Sequence, residues 1–168
     1  MSDISKQELK TTTIQIHAKD IYKTKDINGL IKFHLKKQME NVCGKYGYVL
    51  ENSVSIVKRS IGKIVTHNGL SNIEYNITYK MDSILPCKGD IYDAVVDSVT
   101  KMGLISYLKL DSEKLDSVKE SPLLIIVPQM YLDKELDSYS KGQNIKVEVL
   151  DKRVKYRAKQ IQVVGKIV

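Results

Sequence analysis

Residues 85–89 read Leu85-Pro86-Cys87-Lys88-Gly89 and separate two long regions of strand-like sequence. A proline removes a ladder donor and a glycine weakens a strand, so the pair interrupts any sheet that would run through this point. We therefore predict a domain boundary here, with one domain at residues 11–85 and another at residues 86–168. Residues 1–10 are mostly polar or charged and are expected to form a disordered leader.

Before the boundary, the apolar spacing predicts a strand at residues 12–17 and then one helix. Asp26 is a suitable N-cap for that helix, and Gly44 is placed to end it. Steps of four, four, four and three residues put the apolar side chains on one face. These residues are Ile27, Ile31, Leu35, Met39 and Val42.

The helix is followed by two strand-like segments, at residues 46–57 and 73–80. The second alternates most regularly, with Ile73, Tyr75 and Ile77 on one side. The connection from Lys58 to Gly69 looks too long for a tight hairpin. Two interpretations remain open for it: a mobile loop, or a docking loop that inserts into a larger partner.

After the boundary, five short and closely spaced strand patterns predict a small closed barrel of the OB type. They lie at residues 89–99, 104–110, 123–127, 145–149 and 161–163, and residues 111–121 form a polar connection. A turn at Lys101-Met102-Gly103 joins the first two. The expected inward residues of the first strand are Ile91, Ala94, Val95 and Val99.

Charge is distributed unevenly along the chain, whose formal net charge is +7. Residues 85–140 carry 6 Lys/Arg against 10 Asp/Glu, whereas residues 141–168 carry 8 against 2. The basic end favours a polyanionic partner, and the acidic middle favours a protein partner or plain solvation. No apolar run is long enough to span a bilayer, so no membrane association is expected.

Most of that basic charge lies in one short segment near the end of the chain, Lys152, Arg153, Lys155, Arg157 and Lys159. If a strand continues through the segment, positions 155, 157 and 159 share one face. If the segment is a loop, the cations form a basic tip. Either arrangement offers phosphate contacts that do not read bases.

Catalytic and cofactor motifs are not evident in the sequence. It has no phosphate-binding glycine loop, and its two cysteines and three histidines have no metal-ligand spacing. Asp90, Asp93 and Asp97 resemble a nuclease triad, but strand alternation puts Asp90 on the face opposite to the other two. We expect no enzymatic activity, no metal and no cofactor.

A series of short motifs, in a fixed order, resembles the larger stalk subunit of multisubunit RNA polymerases. That family comprises the seventh subunit of eukaryotic polymerase II and its archaeal counterpart. The resemblance covers residues 11–168 and rests on the order of the motifs rather than on any one of them. The motifs are Gly44-Lys45-Tyr46-Gly47-Tyr48-Val49-Leu50, the Arg59/Gly62 loop, Glu74-Tyr75-Asn76-Ile77-Thr78-Tyr79, Pro86-Cys87-Lys88-Gly89-Asp90-Ile91, Asp93-Ala94-Val95-Val96, Met102-Gly103-Leu104, Ile126-Val127-Pro128 and Ile161-Gln162-Val163-Val164-Gly165-Lys166-Ile167.

The resemblance implies an α+β, mostly β chain. Its N-terminal ribonucleoprotein-like domain, a helix on a strongly bent sheet, would dock on the polymerase core beside the clamp. Its C-terminal domain would be a five-stranded OB barrel of the ribosomal-protein S-one type, and a smaller helical stalk subunit would bind both domains. The loop at residues 19–25 would assist docking. The main docking residues would be Arg59, Ser60, Ile61, Gly62, Lys63 and Ile64.

The resemblance also implies contact with emerging RNA, but the sequence departs from the family at the usual base-stacking positions. S-one barrels place aromatic residues beside the bend glycine, and this chain has Met102 and Ile105 there. Tyr92, Tyr107 and Tyr131 could substitute, although packing is the commoner role for such tyrosines. We therefore predict weak, sequence-independent RNA binding by Lys101, Tyr107, Lys152, Arg153, Lys155, Arg157 and Lys159.

The main rival hypothesis is a free-standing OB-fold RNA-binding protein, such as a translation or RNA-processing factor. The abundance of lysine, isoleucine and asparagine suggests an AT-rich genome, as in a large DNA virus or a protist. The expected location is intracellular: the nucleus for a cellular eukaryotic protein, or a cytoplasmic factory or virion for a viral one.

Overall fold

The structure, a computed structural model, describes residues 4–110 and 118–168. It divides into two compact units. One comprises Ser5–Asn41 and Val49–Ser83, and the other comprises Val42–Tyr48 and the chain from Ile84 to Val168. Most of the predicted polar connection at residues 111–121 lies outside the described residues.

Residues 4–84 form six strands and two helices. The last of these strands is the longest, with 15 residues. The elements are β1 (Lys6–His17), α1 (Ala18–Lys23), α2 (Ile27–Met39), β2 (Cys43–Gly44), β3 (Gly47–Val49), β4 (Ser55–Arg59), β5 (Lys63–His67) and β6 (Leu70–Ile84).

Strand β1 begins earlier than the sequence predicted. It starts at Lys6 and pairs antiparallel with β6 from Lys6↔Ser83 to His17↔Asn72. The segment of residues 6–10 is therefore β-strand and not a disordered leader, while residues 1–3 lie outside the described residues. The polar segment is ordered because β6 provides its ladder partners, which the local sequence does not reveal.

Helix α2 has the predicted start but ends earlier than predicted. The Asp26 carboxylate accepts a hydrogen bond from the Gly29 backbone N–H at 2.9 Å, and Ile31 and Leu35 are fully buried in the core. The helix ends at Met39 and not at Gly44, because Asn41 has a φ of 60° and its N–H donates to the Val49 carbonyl.

The connection between residues 58 and 69 contains strand β5, which forms a tight hairpin with β6, so the expectation that a tight hairpin is excluded here is wrong; the docking role stays a prediction. Strand β5 pairs with β6 from Lys63↔Glu74 to His67↔Leu70. Asn68 and Gly69 form the two-residue turn, with φ values of 50° and 76°. Asn-Gly is the sequence preferred at such turns, since both positions require positive φ. The Asn-Gly turn signal was present in the sequence. Strand β5 was not recognised because Lys63, Thr66 and His67 make most of it polar.

The remaining strands form a closed five-stranded barrel, as predicted and as expected of an OB fold. They pair in the order β7-β8-β9-β11-β10, and β10 returns to β7. All pairs are antiparallel except β9 with β11. The strands are β7 (Ile91–Thr100), β8 (Gly103–Leu108), β9 (Leu123–Pro128), β10 (Asn144–Arg153) and β11 (Ile161–Ile167).

The barrel core is filled by alternate residues of each strand. In β9, Leu123, Ile125 and Val127 are fully buried, as expected for a strand between two neighbours. In β7, Ala94 and Val95 are buried as predicted, but Ile91 and Val99 are exposed. Tyr92 and Val96 point inward instead. The inward residues before the bulge, Tyr92, Ala94 and Val96, follow a period of two that the predicted set did not, and a bulge between Val96 and Ser98 then shifts the alternation.

Candidate functional site

The basic segment near the C-terminal end forms a loop between β10 and β11 rather than a continued strand. We call Arg153, the last residue of β10, together with the loop residues 154–160, the basic loop. Arg153, Lys155, Arg157 and Lys159 in it are all exposed. The Ala158 N–H donates to the Lys155 carbonyl at 3.1 Å, which closes a turn. Of the two arrangements left open by the sequence, the structure shows the basic tip.

The basic loop is held by the short β2–β3 hairpin, which belongs to the same compact unit. The Cys43 N–H donates to the Ala158 carbonyl at 2.7 Å, and the Arg157 N–H donates to the Cys43 carbonyl at 2.8 Å. Cys43 is fully buried, and burial raises the pKa of its thiol to about 11. The hairpin was missed because Gly44 was interpreted as the end of a helix.

Three of the residues predicted to bind RNA lie outside the basic loop. Lys152 is half-buried, and its ammonium group donates to the Pro86 carbonyl. Tyr107 is only 7% exposed, so its ring offers no face to a base in this structure. Lys101 is exposed, but it lies at the other end of the barrel.

The separation of Lys101 from the basic loop follows from the pairing of β9. Its first residue, Leu123, pairs with Ile161, which follows the basic loop. Its last residue, Pro128, pairs with Gly103, which follows the Lys101 turn. Five residue steps along a strand separate the two ends by about 17 Å. The predicted RNA-binding set is thus divided between a cluster at one end of the barrel and a single lysine at the other.

The outer surface of the barrel is aliphatic where S-one barrels carry aromatic rings. Ile105 lies directly opposite Ile126, and Ile126 lies opposite Val164, which makes one row across three strands. Met102, beside the bend glycine, is 85% exposed. Of the other tyrosines considered, Tyr92 is buried, and Tyr131 lies 38% exposed in the helical turn after β9.

The predicted docking residues lie together in the other unit, at the start of the β5–β6 hairpin. Arg59 ends β4, and its Nε donates to the Asn28 side-chain oxygen at 2.6 Å. Its guanidinium also lies 5.6 Å from the centre of the Tyr75 ring. The Ser60 backbone N–H donates to the Asn76 carbonyl, and the Ser60 hydroxyl oxygen accepts a hydrogen bond from the Asn76 backbone N–H. These contacts fix the base of the hairpin to β6.

The next residues differ in that they point away from the sheet. Ile61 is 92% exposed and Ile64 is 72% exposed, and Leu70 across the hairpin is also exposed. Gly62 lies so close to Ile73 that an added Cβ would be 2.6 Å from its Cγ2 atom. Lys63 is exposed and begins β5. We call the exposed pair Ile61 and Ile64, at the start of β5, the apolar tip; Leu70 lies on the other face of the hairpin, because the register pairs Ile64 with Ile73 and His67 with Leu70. The sequence did not single out Leu70, because the hairpin register was not recognised.

The loop predicted to assist docking is partly helical. Residues 18–23 form α1, and the His17 Nδ1 atom accepts the Lys19 N–H at its start. The prediction of a loop at residues 19–25 is therefore wrong for Lys19–Lys23. None of the side chains of α1 is buried.

Two of the three aspartates considered for catalysis, Asp90 and Asp97, make other contacts. The Asp90 carboxylate accepts the Cys87 N–H at 2.7 Å and the Tyr92 hydroxyl at 3.3 Å. Burial, together with this carboxylate, raises the pKa of Tyr92. Asp97 forms an ion pair with Lys141 at 3.5 Å. Within residues 4–110 and 118–168, no three His, Cys, Asp or Glu side chains are grouped to hold a metal ion.

No helix among those that the structure describes combines the length and the apolar composition that crossing a bilayer requires.

Comparison with known proteins finds distant and partial similarity to a polymerase subunit. The chain is 28% identical over 103 residues to DNA-directed RNA polymerase II subunit rpb7 of Schizosaccharomyces pombe, covering 58% of this chain and 57% of that protein. It is 32% identical over 73 residues to the rpb7 subunit of Dictyostelium discoideum, covering 43% and 41%. The chain thus matches about half the length of these curated relatives. No protein-family model matches it.

Among solved structures, an uncharacterized protein of Methanocaldococcus jannaschii is 17% identical and covers 51% of this chain and 96% of its own length, with a TM-score of 0.36.

Proposed function

We propose that this chain is a non-catalytic stalk subunit of a DNA-directed RNA polymerase. The observation that carries the proposal is the partial similarity to two rpb7 subunits in a chain that also closes a five-stranded barrel. The ordered motifs at residues 11–168 support the same conclusion. Phosphodiester chemistry belongs to the large subunits, and the chain itself has an architectural role in initiation. Its location is that of the polymerase it serves, the nucleus in a eukaryotic cell.

The two predicted domains divide the work. Residues 11–85, a ribonucleoprotein-like helix-on-sheet domain, dock on the polymerase core near the clamp. Residues 86–168, the OB barrel, extend toward emerging RNA, and a smaller helical subunit completes the stalk. The proposed division gives each domain its own partner.

Docking is assigned to the β5–β6 hairpin because of its apolar tip. Ile61 and Ile64 expose most of their surface, although fixed contacts at Arg59 and Ser60 hold the base of the hairpin in place. Exposed aliphatic side chains that lie next to backbone already held by hydrogen bonds can be buried in a partner with little loss of backbone conformational entropy. Core polymerase is the proposed partner.

RNA contact is assigned to the basic loop. Four exposed cations within seven residues bind phosphates without reading sequence. If about three phosphates are engaged, log K falls against log salt concentration with a slope near −2, since single strands give about −0.7 per phosphate. Replacing Arg153, Lys155, Arg157 and Lys159 with glutamine should move the slope toward zero. An unchanged affinity would remove RNA contact at this loop.

The experiment that tests the assignment is affinity purification of the tagged chain from its native source, with identification of the bound proteins. A stalk subunit recovers the largest polymerase subunits. The second candidate, a free-standing OB-fold RNA-binding protein, is favoured by the basic loop alone, and such a factor runs alone or with ribosomes. Recovery without polymerase subunits would overturn the proposal.

A further inference from the structure

One exposed aromatic ring lies within the basic loop itself. Tyr156 is 77% exposed and lies between Lys155 and Arg157 in the chain. The turn closed by Lys155 and Ala158 has Tyr156 at its second position. An aromatic ring flanked by cations is the arrangement that proteins use to hold single-stranded nucleic acid.

The turn has a strained backbone. Arg157 has a φ of 60°, in the left-handed region that glycine or asparagine usually occupies at the third position of a turn. An arginine there is strained, because its Cβ approaches the following carbonyl oxygen. Two backbone hydrogen bonds with Cys43 hold Arg157 and Ala158 in place. Strained residues that the surrounding structure fixes are frequent at binding sites, so the conformation is consistent with a site that is formed before the ligand binds.

The hairpin that holds the loop contributes similar residues. Its turn carries Lys45 and Tyr46, both exposed, and the Lys45 ammonium lies 5.5 Å from the centre of the Tyr46 ring. The hairpin therefore adds a cation to the four of the basic loop. On the barrel face, by contrast, the outward row of Ile105, Ile126 and Val164 is aliphatic.

We propose that Tyr156 is a base-stacking residue of a single-stranded RNA site at this end of the barrel, with phosphates bound by the neighbouring cations. The inference rests on the proposed RNA contact and deepens it, because it moves base stacking from the barrel face to the basic loop. The ligand is single-stranded, since a base in a duplex is already stacked on its neighbours. Stacking on a ring tolerates every base, so the site has little sequence preference.

The test compares two probes of equal length and charge: an oligouridylate of about twelve nucleotides, which is within the span of one OB-fold site, and the same backbone with abasic positions. The intact protein should bind the oligouridylate about 5-fold or more tightly than the abasic probe. Tyr156→Ala should remove this preference and leave the salt slope unchanged, while Tyr156→Phe should keep it. Tyr22→Ala, an exposed tyrosine of the other unit, is the matched control and should change nothing.

A direct optical test is available because the chain contains no tryptophan. Tyr156→Trp introduces a single indole whose fluorescence should be quenched by the oligouridylate and not by the abasic probe. Equal binding of both probes by the intact protein, or an unchanged preference in Tyr156→Ala, would overturn the stacking role.

The outcomes separate this inference from the proposed RNA contact. If the glutamine replacement of the four cations weakens binding but Tyr156→Ala does not, the basic loop binds phosphates and the stacking inference alone is wrong. If the intact protein binds neither probe at low salt, the proposed RNA contact fails, and the inference fails with it.

Discussion

The barrel and the β5–β6 hairpin place their aliphatic residues in opposite ways. In β9 of the barrel, Ile125 is completely buried between two neighbouring strands. In the hairpin, Ile61 and Ile64 are 92% and 72% exposed. Burying one such side chain contributes about 1.5–3 kcal/mol. The barrel has already gained this stabilisation within the chain, whereas the hairpin gains it only when another molecule covers the tip.

The barrel and the hairpin each contain a glycine with a positive φ, but the space around the two glycines differs. Gly103 enters β8 with a φ of 138°, and a Cβ there would be 2.1 Å from the Val127 carbonyl oxygen. Gly69 in the hairpin turn has a φ of 76° but open space around it. The barrel bend at Gly103 is thus constrained by packing as well as by backbone conformation, and the hairpin turn at Gly69 by conformation alone.

The largest effect is expected from Gly103→Ala. The clash with Val127 and the unfavourable φ together should lower the free energy of unfolding by roughly 3 kcal/mol or more. Chemical denaturation followed by circular dichroism measures this. A loss below about 1 kcal/mol, the cost of the backbone conformation alone, would show that the barrel can relax at the bend, and the contrast with the hairpin would be lost.

A large effect on partner binding, with little effect on folding, is expected from Ile61→Asp combined with Ile64→Asp. Removing the apolar tip should weaken polymerase binding at least about tenfold, as for a central interface residue. Because both side chains are exposed, the free energy of unfolding should change by only about 0.5 kcal/mol per substitution. Quantitative recovery of polymerase subunits measures the first, and denaturation the second. Undiminished recovery would exclude the tip as the docking element.

A smaller effect is expected from Gly69→Ala in the hairpin turn. Only the left-handed conformation opposes the new methyl group, so the cost should be about 1 kcal/mol. Asn68→Gly is the matched control, since glycine accepts the same φ without strain. Thermal unfolding of both variants measures the difference. A loss equal to that of Gly103→Ala would mean that the turn is as tightly packed as the barrel.

The smallest expected effect is a difference in thiol reactivity between the two cysteines. Cys43 is buried with a pKa raised to about 11, so near pH 8 its thiol stays protonated and shielded, whereas Cys87 is exposed. A thiol reagent should label one cysteine in the native protein and two after denaturation. Cys87→Ser should leave no native labelling. In the unfolded chain the Cys43 thiol has its ordinary pKa of 9.0, so it loses its proton at a lower pH than the buried thiol does. The free energy of unfolding should therefore fall as the pH rises from about 9 toward about 11. Rapid native labelling of Cys43 would contradict its burial.

The sequence predicted the barrel more accurately than the N-terminal unit, for a physical reason. In the barrel, runs such as Leu123–Pro128 contain enough buried aliphatic residues to identify each strand locally. In the N-terminal unit, the beginning of β1 and most of β5 are polar, and they are strands because β6 pairs with them. The pairing of β1 with the distant β6 leaves little trace in either local sequence, whereas the β5–β6 hairpin was marked only by its Asn-Gly turn.

The residues of the candidate sites also differ in whether the sequence alone could identify them. The cations of the basic loop were found because charge is visible in the sequence, and the exposed isoleucines were found through the family resemblance. The burial of Tyr107, the contact of Lys152 with Pro86 and the distance to Lys101 depend on barrel closure. The position of Tyr156 at a turn apex depends on hydrogen bonds with Cys43, which lies far away in the sequence.

The most direct test of the account measures polymerase recovery and RNA affinity for two variants side by side. One carries Ile61→Asp and Ile64→Asp, and the other carries glutamine at Arg153, Lys155, Arg157 and Lys159. The account predicts that the first loses the large polymerase subunits and keeps RNA affinity, and that the second does the reverse. If the variant with an altered tip still recovers polymerase as well as the intact protein does, the docking claim is contradicted.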